Sequence, residues 1–470
     1  MNFFKTYQTE CWFLAIPLFI LIILRLLGFD GLVGQDSYEY LRYTEKIKDF
    51  YLTGIHPGDF FWPKGYSLVA GVLAVVIPTN IAIQLISLIS LLGTFLFTNA
   101  IIKLLYKKQK YTLPYLLISL LLSPYLLRSG IVSMSDTLSI FCLTGSFYYG
   151  LVYRGEFTFK AIFFCILLGV YSVFTRYAAI IPVAIIFIVV SYYWIKNIRL
   201  THLLVLIIPL ILIPIHFFFE SRPTDFVQHE WITTWDIFNF YKREFTTVDG
   251  IMHYTFPNAV YAFFAFFHPG FFFLGGGLIF LTLKKVKTII TADWIILLSG
   301  VVFYSVFLMG IPFQNNRFLL LTYPLILALI YPGFDWLINR FLPFKRWFFG
   351  VFIIFQLGFF ARAIQVSFQL CLLEKNIVSQ LTHFQNQTLY SFDIDVAIEG
   401  RGLEFNYKNL WVEEYKYFEK GALVLFNEEK LKFQWEGKNP MVNWNNLKEN
   451  YQLTNIKQLD GGWKLYRIGE

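Results

Sequence analysis

Charged residues are scarce: 15% of the 470 positions are Asp, Glu, Lys or Arg, where a soluble globular domain has about a quarter. The four cysteines, Cys11, Cys142, Cys165 and Cys371, lie far apart, three of them in apolar stretches, and show no metal-ligand spacing. They read as helix filler. Lys and Arg fall in loop-sized clusters beside apolar runs and never along one polar face, so there is no footprint for nucleic acid. No small-residue cleavage site follows Arg25-Leu-Leu-Gly28, and the opening segment therefore reads as a retained span instead of a signal peptide. Internal repeats and low-complexity tracts are also missing.

What the chain has in excess is apolar length. Apolar residues make up 57% of it and aromatics 20%. Runs of about 18 to 25 residues recur through the first 366 positions, each long enough to cross roughly 30 Å of hydrocarbon as a helix, which excludes a β-barrel. The fold class is therefore an all-α polytopic membrane protein. Eleven transmembrane helices are expected, at about 11–28, 81–106, 112–128, 136–153, 160–174, 177–194, 201–218, 258–283, 291–310, 318–332 and 347–366. Trp62 to Pro78, bounded by prolines and short for a crossing, is assigned as a juxtamembrane or re-entrant helix.

That assignment sets the sidedness of every later loop. With the amino terminus inside, the inner loops hold 15 basic residues against four acids, and the other side 12 against 13. The positive-inside bias selects this topology. Three segments then face outside: loops 29–80 and 219–257, and the carboxy-terminal hundred residues. The expected division is a transmembrane catalytic domain, 1–370, and a small soluble α/β domain, 371–470. Within the latter, Leu423-Val-Leu-Phe426 with Leu431-Lys-Phe-Gln-Trp435, and Ile456 to Leu459 with Trp463 to Ile468, are hairpin signals around polar turns. No nucleophile motif, metal cluster or glycine-rich phosphate loop occurs there.

Ionisable groups at a membrane are costly and mark candidate sites. Asp36, eight residues past the first span, opens an amphipathic pattern with Tyr40, Tyr43 and Ile47 at helical spacing. It is either an N-cap or a general base for an acceptor hydroxyl. Lys64, in Trp62-Pro-Lys-Gly-Tyr66, either anchors at the headgroups or pairs with a lipid phosphate. Arg128, Arg176 and Arg317 sit at outer ends of spans, where the positive-inside rule does not attract Arg. A guanidinium there either snorkels or captures phosphate oxygens in a fork. Asp136, in Met134-Ser-Asp136-Thr137, is a cap or a second acid that holds a divalent ion or orients the acceptor. In loop 219–257, Trp231, Trp235, Tyr241, Lys242 and Arg243 fit sugar stacking or an interfacial helix. Tyr40, His56, Tyr66, Tyr177 and Gln314, flanking these charged positions, are candidate substrate contacts.

The order of these features resembles the GT-C superfamily of polyprenyl-phosphate-sugar-dependent glycosyltransferases, in its bacterial branch related to protein O-mannosyltransferases and the lipid A aminoarabinose transferase. The matching elements are Gln35-Asp36-Ser-Tyr-Glu-Tyr40, Trp62-Pro-Lys-Gly-Tyr66, Met134-Ser-Asp136, Thr175-Arg176-Tyr177 and Asn316-Arg317-Phe-Leu-Leu-Leu-Thr-Tyr-Pro324, spanning about residues 10 to 335. The resemblance implies Asp36 as the base and Lys64, Arg176 and Arg317, with Arg128 nearby, as a clamp for the donor phosphate. Where the mannosyltransferases carry two adjacent acids, Ser37 follows Asp36. A single proline precedes Lys64, where the aminoarabinose branch places its prolines after a lysine. The sugar and the acceptor stay open.

The expected function is sugar transfer from a polyprenyl-phosphate donor to a lipid, glycan or protein acceptor at the outer face of a bacterial cytoplasmic membrane. No nucleotide is needed. A divalent metal ion is an open possibility. The alternatives are a surface-polysaccharide polymerase or ligase, which tends to rely on a large loop between late spans, and a transporter or flippase of lipid-linked glycans, which usually shows repeats.

Overall fold

The computed structural model describes residues 8–107, 109–219, 233–247, 250–340, 345–411, 413–434 and 441–469. Helices dominate it. The first four are α1 (Gln8–Leu26), α2 (Gly34–Thr53), α3 (Gly65–Ala74) and α4 (Thr79–Leu105). Two limbs, α5 (Thr112–Leu116) and α6 (Pro124–Ile131), lead to α7 (Asp136–Glu156), α8 (Phe159–Thr175), α9 (Ile180–Lys196) and α10 (Ile207–Phe218). The bundle closes with α11 (Gly275–Leu283), α12 (Ala292–Gly310), α13 (Tyr323–Arg340) and α14 (Lys345–Leu381).

Among the described residues four helical spans are long and apolar enough to cross a membrane: Thr79–Leu105, Tyr177–Lys196, Ala292–Gly310 and Trp347–Phe384. A fifth candidate, Thr112–Leu121 with Pro124–Ile131, is bent by 69°. Shorter apolar helices occur at Trp12–Leu26, Gly65–Ala74, Phe159–Thr175 and Leu200–Ile215, and two of the eleven expected spans are broken. Proline breaks both. Ser123, placed before Pro124, is pushed into the extended region and ends the helical path. The expected span 258–283 splits at His268-Pro269-Gly270 into short turns at Asn258–Tyr261 and Phe264–Phe267 and then α11, with His268 extended before its proline.

At one end of the bundle Arg154 Nε of α7 meets Asp293 Oδ1 of α12 at 2.6 Å. The start of α7 and the end of α8 lie at the other end, and there α2 and α3 pack. Tyr40, Tyr43 and Ile47 of α2 are buried, as their spacing predicts, in one apolar cluster with Tyr66 and Ala70 of α3 and the core of the tail. Segments expected on one side do meet: His56 Nε2 lies 3.0 Å from Phe218 O, and Phe219 packs edge-on against Phe50.

The tail folds around five strands: β3 (Thr388–Ser391), β4 (Asn406–Asn409), β5 (Leu423–Phe426), β6 (Leu453–Gln458) and β7 (Lys464–Ile468); a separate hairpin, β1 (Glu244–Thr247) with β2 (Gly250–His253), lies earlier in the chain. The tail sheet order is β4-β3-β5-β7-β6, with β3 parallel to β4 and β5 and with β7 antiparallel to β5 and β6. The β6–β7 pair is the expected second hairpin. The first one does not form. Leu431 lies in a helix, α16 (Glu428–Gln434), because Asn427 Oδ1 accepts from Lys430 N and Glu428 and Glu429 complement the helix dipole in its first turn. Trp435 lies outside the described residues. Leu423, Val424, Leu425 and Phe426 are all buried, and Phe426 stacks on Trp444 with centroids 4.0 Å apart. α14 runs without interruption through the boundary expected near residue 370 and carries the tail onto α2.

Candidate functional site

Four charged side chains from four segments meet at this end of the bundle. Arg317, in a short turn (Asn316–Leu319) capped by Asn315 Oδ1, points between the starts of α2 and α7. Its Nη1 donates to Asp36 Oδ2 at 2.7 Å and its Nε to Asp136 Oδ2 at 2.9 Å. Arg176, at the end of α8, pairs with the other Asp136 oxygen and lies over the Phe318 ring. The result is a chain, Arg176–Asp136–Arg317–Asp36. Exposure is graded along it: the Asp136 side chain is fully buried, Arg176 and Arg317 are 16% and 19% exposed, and Asp36 is 29% exposed. Asp36 is the group that opens outward.

Neither carboxylate caps its helix. The N-cap of α2 is Val33 and that of α7 is Ser135, and neither makes a side-chain cap bond. Ser37 explains how α2 starts without Asp36: its buried hydroxyl accepts from Val33 N at 2.6 Å and donates to Val33 O at 2.7 Å. An acid at 37 would face this interior, so the position has no room for the second acid of the mannosyltransferase pattern. Tyr40, fully buried, donates to Ser135 Oγ at 2.9 Å and so ties α2 to the residue before Asp136. Burial pushes its hydroxyl up to about 12, and it stays a donor.

A second network holds the first turn of α2 from behind. Glu374 of α14 accepts from Tyr38 Oη at 2.5 Å and from Gly34 N at 3.4 Å, one on either side of Asp36 in sequence. Arg401, just past a tail helix, α15 (Asp395–Gly400), reaches Asp30 Oδ2 at 2.9 Å and Glu374 Oε2 at 3.6 Å and lies over the Tyr38 ring. Gly400 makes the approach possible, since a Cβ there would sit 2.5 Å from Tyr38 Cδ1. Burial raises the Asp30 carboxyl, but its bonds to Arg401 and Lys375 outweigh this and hold it down at about 2. Pattern reading missed Glu374, Arg401 and Asp30, although one signal exists. Glu374 falls on the buried face of α14 marked by Cys371, Ile377 and Leu381.

The remaining candidates land as follows. Lys64 is 1% exposed and therefore inside the protein. Gly65 lets it in, because a Cβ at 65 would meet Phe174 O at 2.7 Å, and this seats Lys64 against the segment that carries Arg176. Arg128 stands on the second limb of the bent pair, over the Tyr125 ring at 5.3 Å. Tyr66 is fully buried and bonded to Ile83 O and Ser87 Oγ, so it supports the site from below. His56 packs on Phe218, away from the ion-pair chain. Tyr177 follows Arg176 in a short turn, half-buried. Gln314 lines a separate aromatic cavity. In loop 219–257, Trp235 Nε1 bonds Phe307 O at 3.1 Å, a packing contact, and Tyr241 is exposed. Trp231 lies outside the described residues.

Among the described residues no three His, Cys, Asp or Glu side chains converge as metal ligands. Asp36 and Asp136 are already bridged by guanidinium groups. These residues do not fit a divalent ion, and the arrangement suits an anion instead: two forked cations fixed in place, with the more exposed carboxylate at the outer end of the ion-pair chain.

No protein-family model and no curated protein sequence matches the chain. Solved structures do. ArnT from Cupriavidus metallidurans bound to undecaprenyl phosphate is 11% identical over 98% of each chain, with a TM-score of 0.62, and its apo form gives 11%, the same coverage and 0.60. The apo oligosaccharyltransferase of Archaeoglobus fulgidus is 12% identical over 85% of this chain and 64% of its own, with a TM-score of 0.48. Over nearly its whole length this chain shares the fold of ArnT from Cupriavidus metallidurans.

Proposed function

We propose that the chain transfers a sugar from a polyprenyl-phosphate-linked donor to a lipid, glycan or protein acceptor at the extracytoplasmic face of a bacterial cytoplasmic membrane. The observation that carries this reading is the Arg176–Asp136–Arg317–Asp36 chain of ion pairs at one end of a bundle of apolar helices. The ArnT fold, and the undecaprenyl phosphate held by that protein, support a lipid phosphate as the leaving group.

The roles follow from burial. Arg176 and Arg317, with Lys64 beside them and Arg128 nearby, receive the donor phosphate. Preorganised donors of this kind stabilise developing charge by about 3 kcal/mol each in a poorly hydrated site. Asp136, locked between two guanidinium groups, positions them. Asp36 takes the proton from the attacking hydroxyl or amine while the bond from anomeric carbon to phosphate oxygen breaks, and the electron pair leaves with the polyprenyl phosphate. Inversion at the anomeric carbon is what the resemblance implies. The amino terminus is cytoplasmic and the tail extracytoplasmic, and the division near residue 370 separates the transferase bundle from a domain that braces it.

Mass spectrometry of lipid and surface-glycan extracts, from cells with and without the protein, tests this reading together with undecaprenyl phosphate binding to the purified chain in nanodiscs. A sugar lost from one glycan class and a measurable affinity are expected. Unchanged extracts together with no binding would overturn it.

A further inference from the structure

A cavity of about 440 Å³ lies beside the ion-pair chain, in the size range of small-molecule sites. Its walls are the rings of Phe256, Phe264 and Phe267, with His268, Gln314 and Asn316 between them, and among the described residues no Asp, Glu, Lys or Arg side chain lines it. It shares structure with the anion site. Asn316 precedes Arg317, and Asn316 Nδ2 donates to Tyr125 Oη at 3.2 Å. The Tyr125 ring stacks on His268 on one side and carries Arg128 on the other. Tyr261 fixes this wall by donating to Asn315 O at 2.6 Å and accepting from Asn315 N at 3.1 Å.

The hydrogen bonds within the wall decide which polar atoms are left over. Gln314 Nε2 is spent on Phe256 O and Asn258 Oδ1, at 2.7 and 2.9 Å, which leaves Oε1 as an acceptor. Asn316 likewise keeps Oδ1. His268 Nδ1 accepts from Gly270 N at 3.0 Å, which puts the proton of the neutral ring on Nε2, a donor. Aromatic faces, two carbonyl acceptors, one imidazole donor and the Tyr254 and Thr255 side chains that also line the cavity complement a ring bearing hydroxyls. An isoprenoid chain would strip these polar groups of water and return no hydrogen bonds to them. Among the described residues a uronic acid would find no Lys or Arg in the cavity, and an amino sugar no carboxylate.

We infer that this cavity holds the sugar ring of the donor and that this sugar is an uncharged pyranose. The inference rests on the proposed transfer reaction and narrows its substrate. Phe256 and Phe267, 46% and 48% exposed in the chain alone, supply open ring faces for stacking.

The test compares affinities of the full chain in nanodiscs for undecaprenyl phosphate and for its glucosyl, 4-amino-arabinosyl and galacturonosyl esters. The glucosyl ester should bind at least about tenfold tighter than the bare lipid phosphate, and tighter than either charged ester. Phe267→Ala and His268→Gln should each remove that preference while leaving undecaprenyl phosphate affinity unchanged, which also reports that the variants are folded. Equal affinity for bare and glucosylated lipid, or preference for a charged ester, overturns the inference and leaves the transfer reading standing. Absence of any lipid-phosphate affinity sinks the transfer reading, and the inference with it. Methyl glucoside binding to chain already saturated with the glucosyl ester would give the cavity to the acceptor's sugar and overturn the donor assignment.

Discussion

Replacing Asp36 by Asn separates catalysis from structure because the two effects differ in size. The lost ion pair is partly exposed, 29% at Asp36 and 19% at Arg317, and such pairs contribute about 1 kcal/mol or less. The amide oxygen still accepts from Arg317 Nη1. No cap is lost, since Val33 begins α2 without a side-chain bond. Folding should therefore be nearly unchanged. Turnover should fall by about 10² to 10⁴, the usual worth of a general base, or roughly 3 to 5 kcal/mol of barrier. Asp136→Asn gives the contrast. Its carboxylate is fully buried between two guanidinium groups, and breaking a buried pair costs about 3–5 kcal/mol, so that variant should lose thermal stability first. The assay is release of undecaprenyl phosphate from labelled donor by purified protein in nanodiscs, alongside thermal unfolding. Asp36→Asn with turnover within about threefold of the original would refute the catalytic role.

Arg317→Lys keeps the charge but cannot span both carboxylates and a phosphate, so donor affinity and turnover should both drop while Arg317→Ala adds little further loss; binding to undecaprenyl phosphate measures this. Glu374→Gln or Arg401→Gln should speed amide exchange in the peptide around Gly34 to Tyr38, read by mass spectrometry, and lower turnover with donor affinity retained; unchanged exchange would disconnect the tail from α2. Asp30, held at about 2 against an ordinary 3.8, contributes about 2 kcal/mol to tail docking. Because its folded value is depressed, that contribution is complete above pH 3.8 and is lost as pH falls through 2. Proteolysis of the tail should be flat from neutral pH to about 4 and rise only below it. A single cysteine at Lys107 should resist a membrane-impermeant label in intact cells and one at Tyr417, 84% exposed in the tail, should react; the reverse pattern would invert the topology.

The sequence made the bundle and the charged groups visible for one reason: both are expensive at a membrane. Long apolar runs and isolated ionisable residues stand out locally, so Asp36, Asp136, Arg176 and Arg317 could be named before anything placed them together. The spacing of Tyr40, Tyr43 and Ile47 likewise sufficed for the buried face of α2. The failures have a common cause in distance along the chain. Glu374 meets Gly34 across 340 residues, and Arg401 meets Asp30 across 371, pairings that no periodicity encodes. The breaks at Pro124 and Pro269 lay inside runs apolar enough to pass for single spans. Leu431 alternated like a strand, but Asn427 and two glutamates had already begun a helix.

The division of labour between the two carboxylates comes from Arg317. A guanidinium offers five N–H donors in a fixed plane. Two of them are engaged, Nε by Asp136 and one of Nη1 by Asp36, and three are left for phosphate oxygens. Asp136 has both oxygens on guanidinium groups and no exposure; protonating it would leave two buried cations without a counter-charge, so it cannot serve as the proton acceptor without dismantling the clamp. Asp36 has only Oδ2 engaged among the described residues and is the most exposed member of the chain of ion pairs. On the proposed reading the buried acid fixes the cation, and the exposed one does the chemistry.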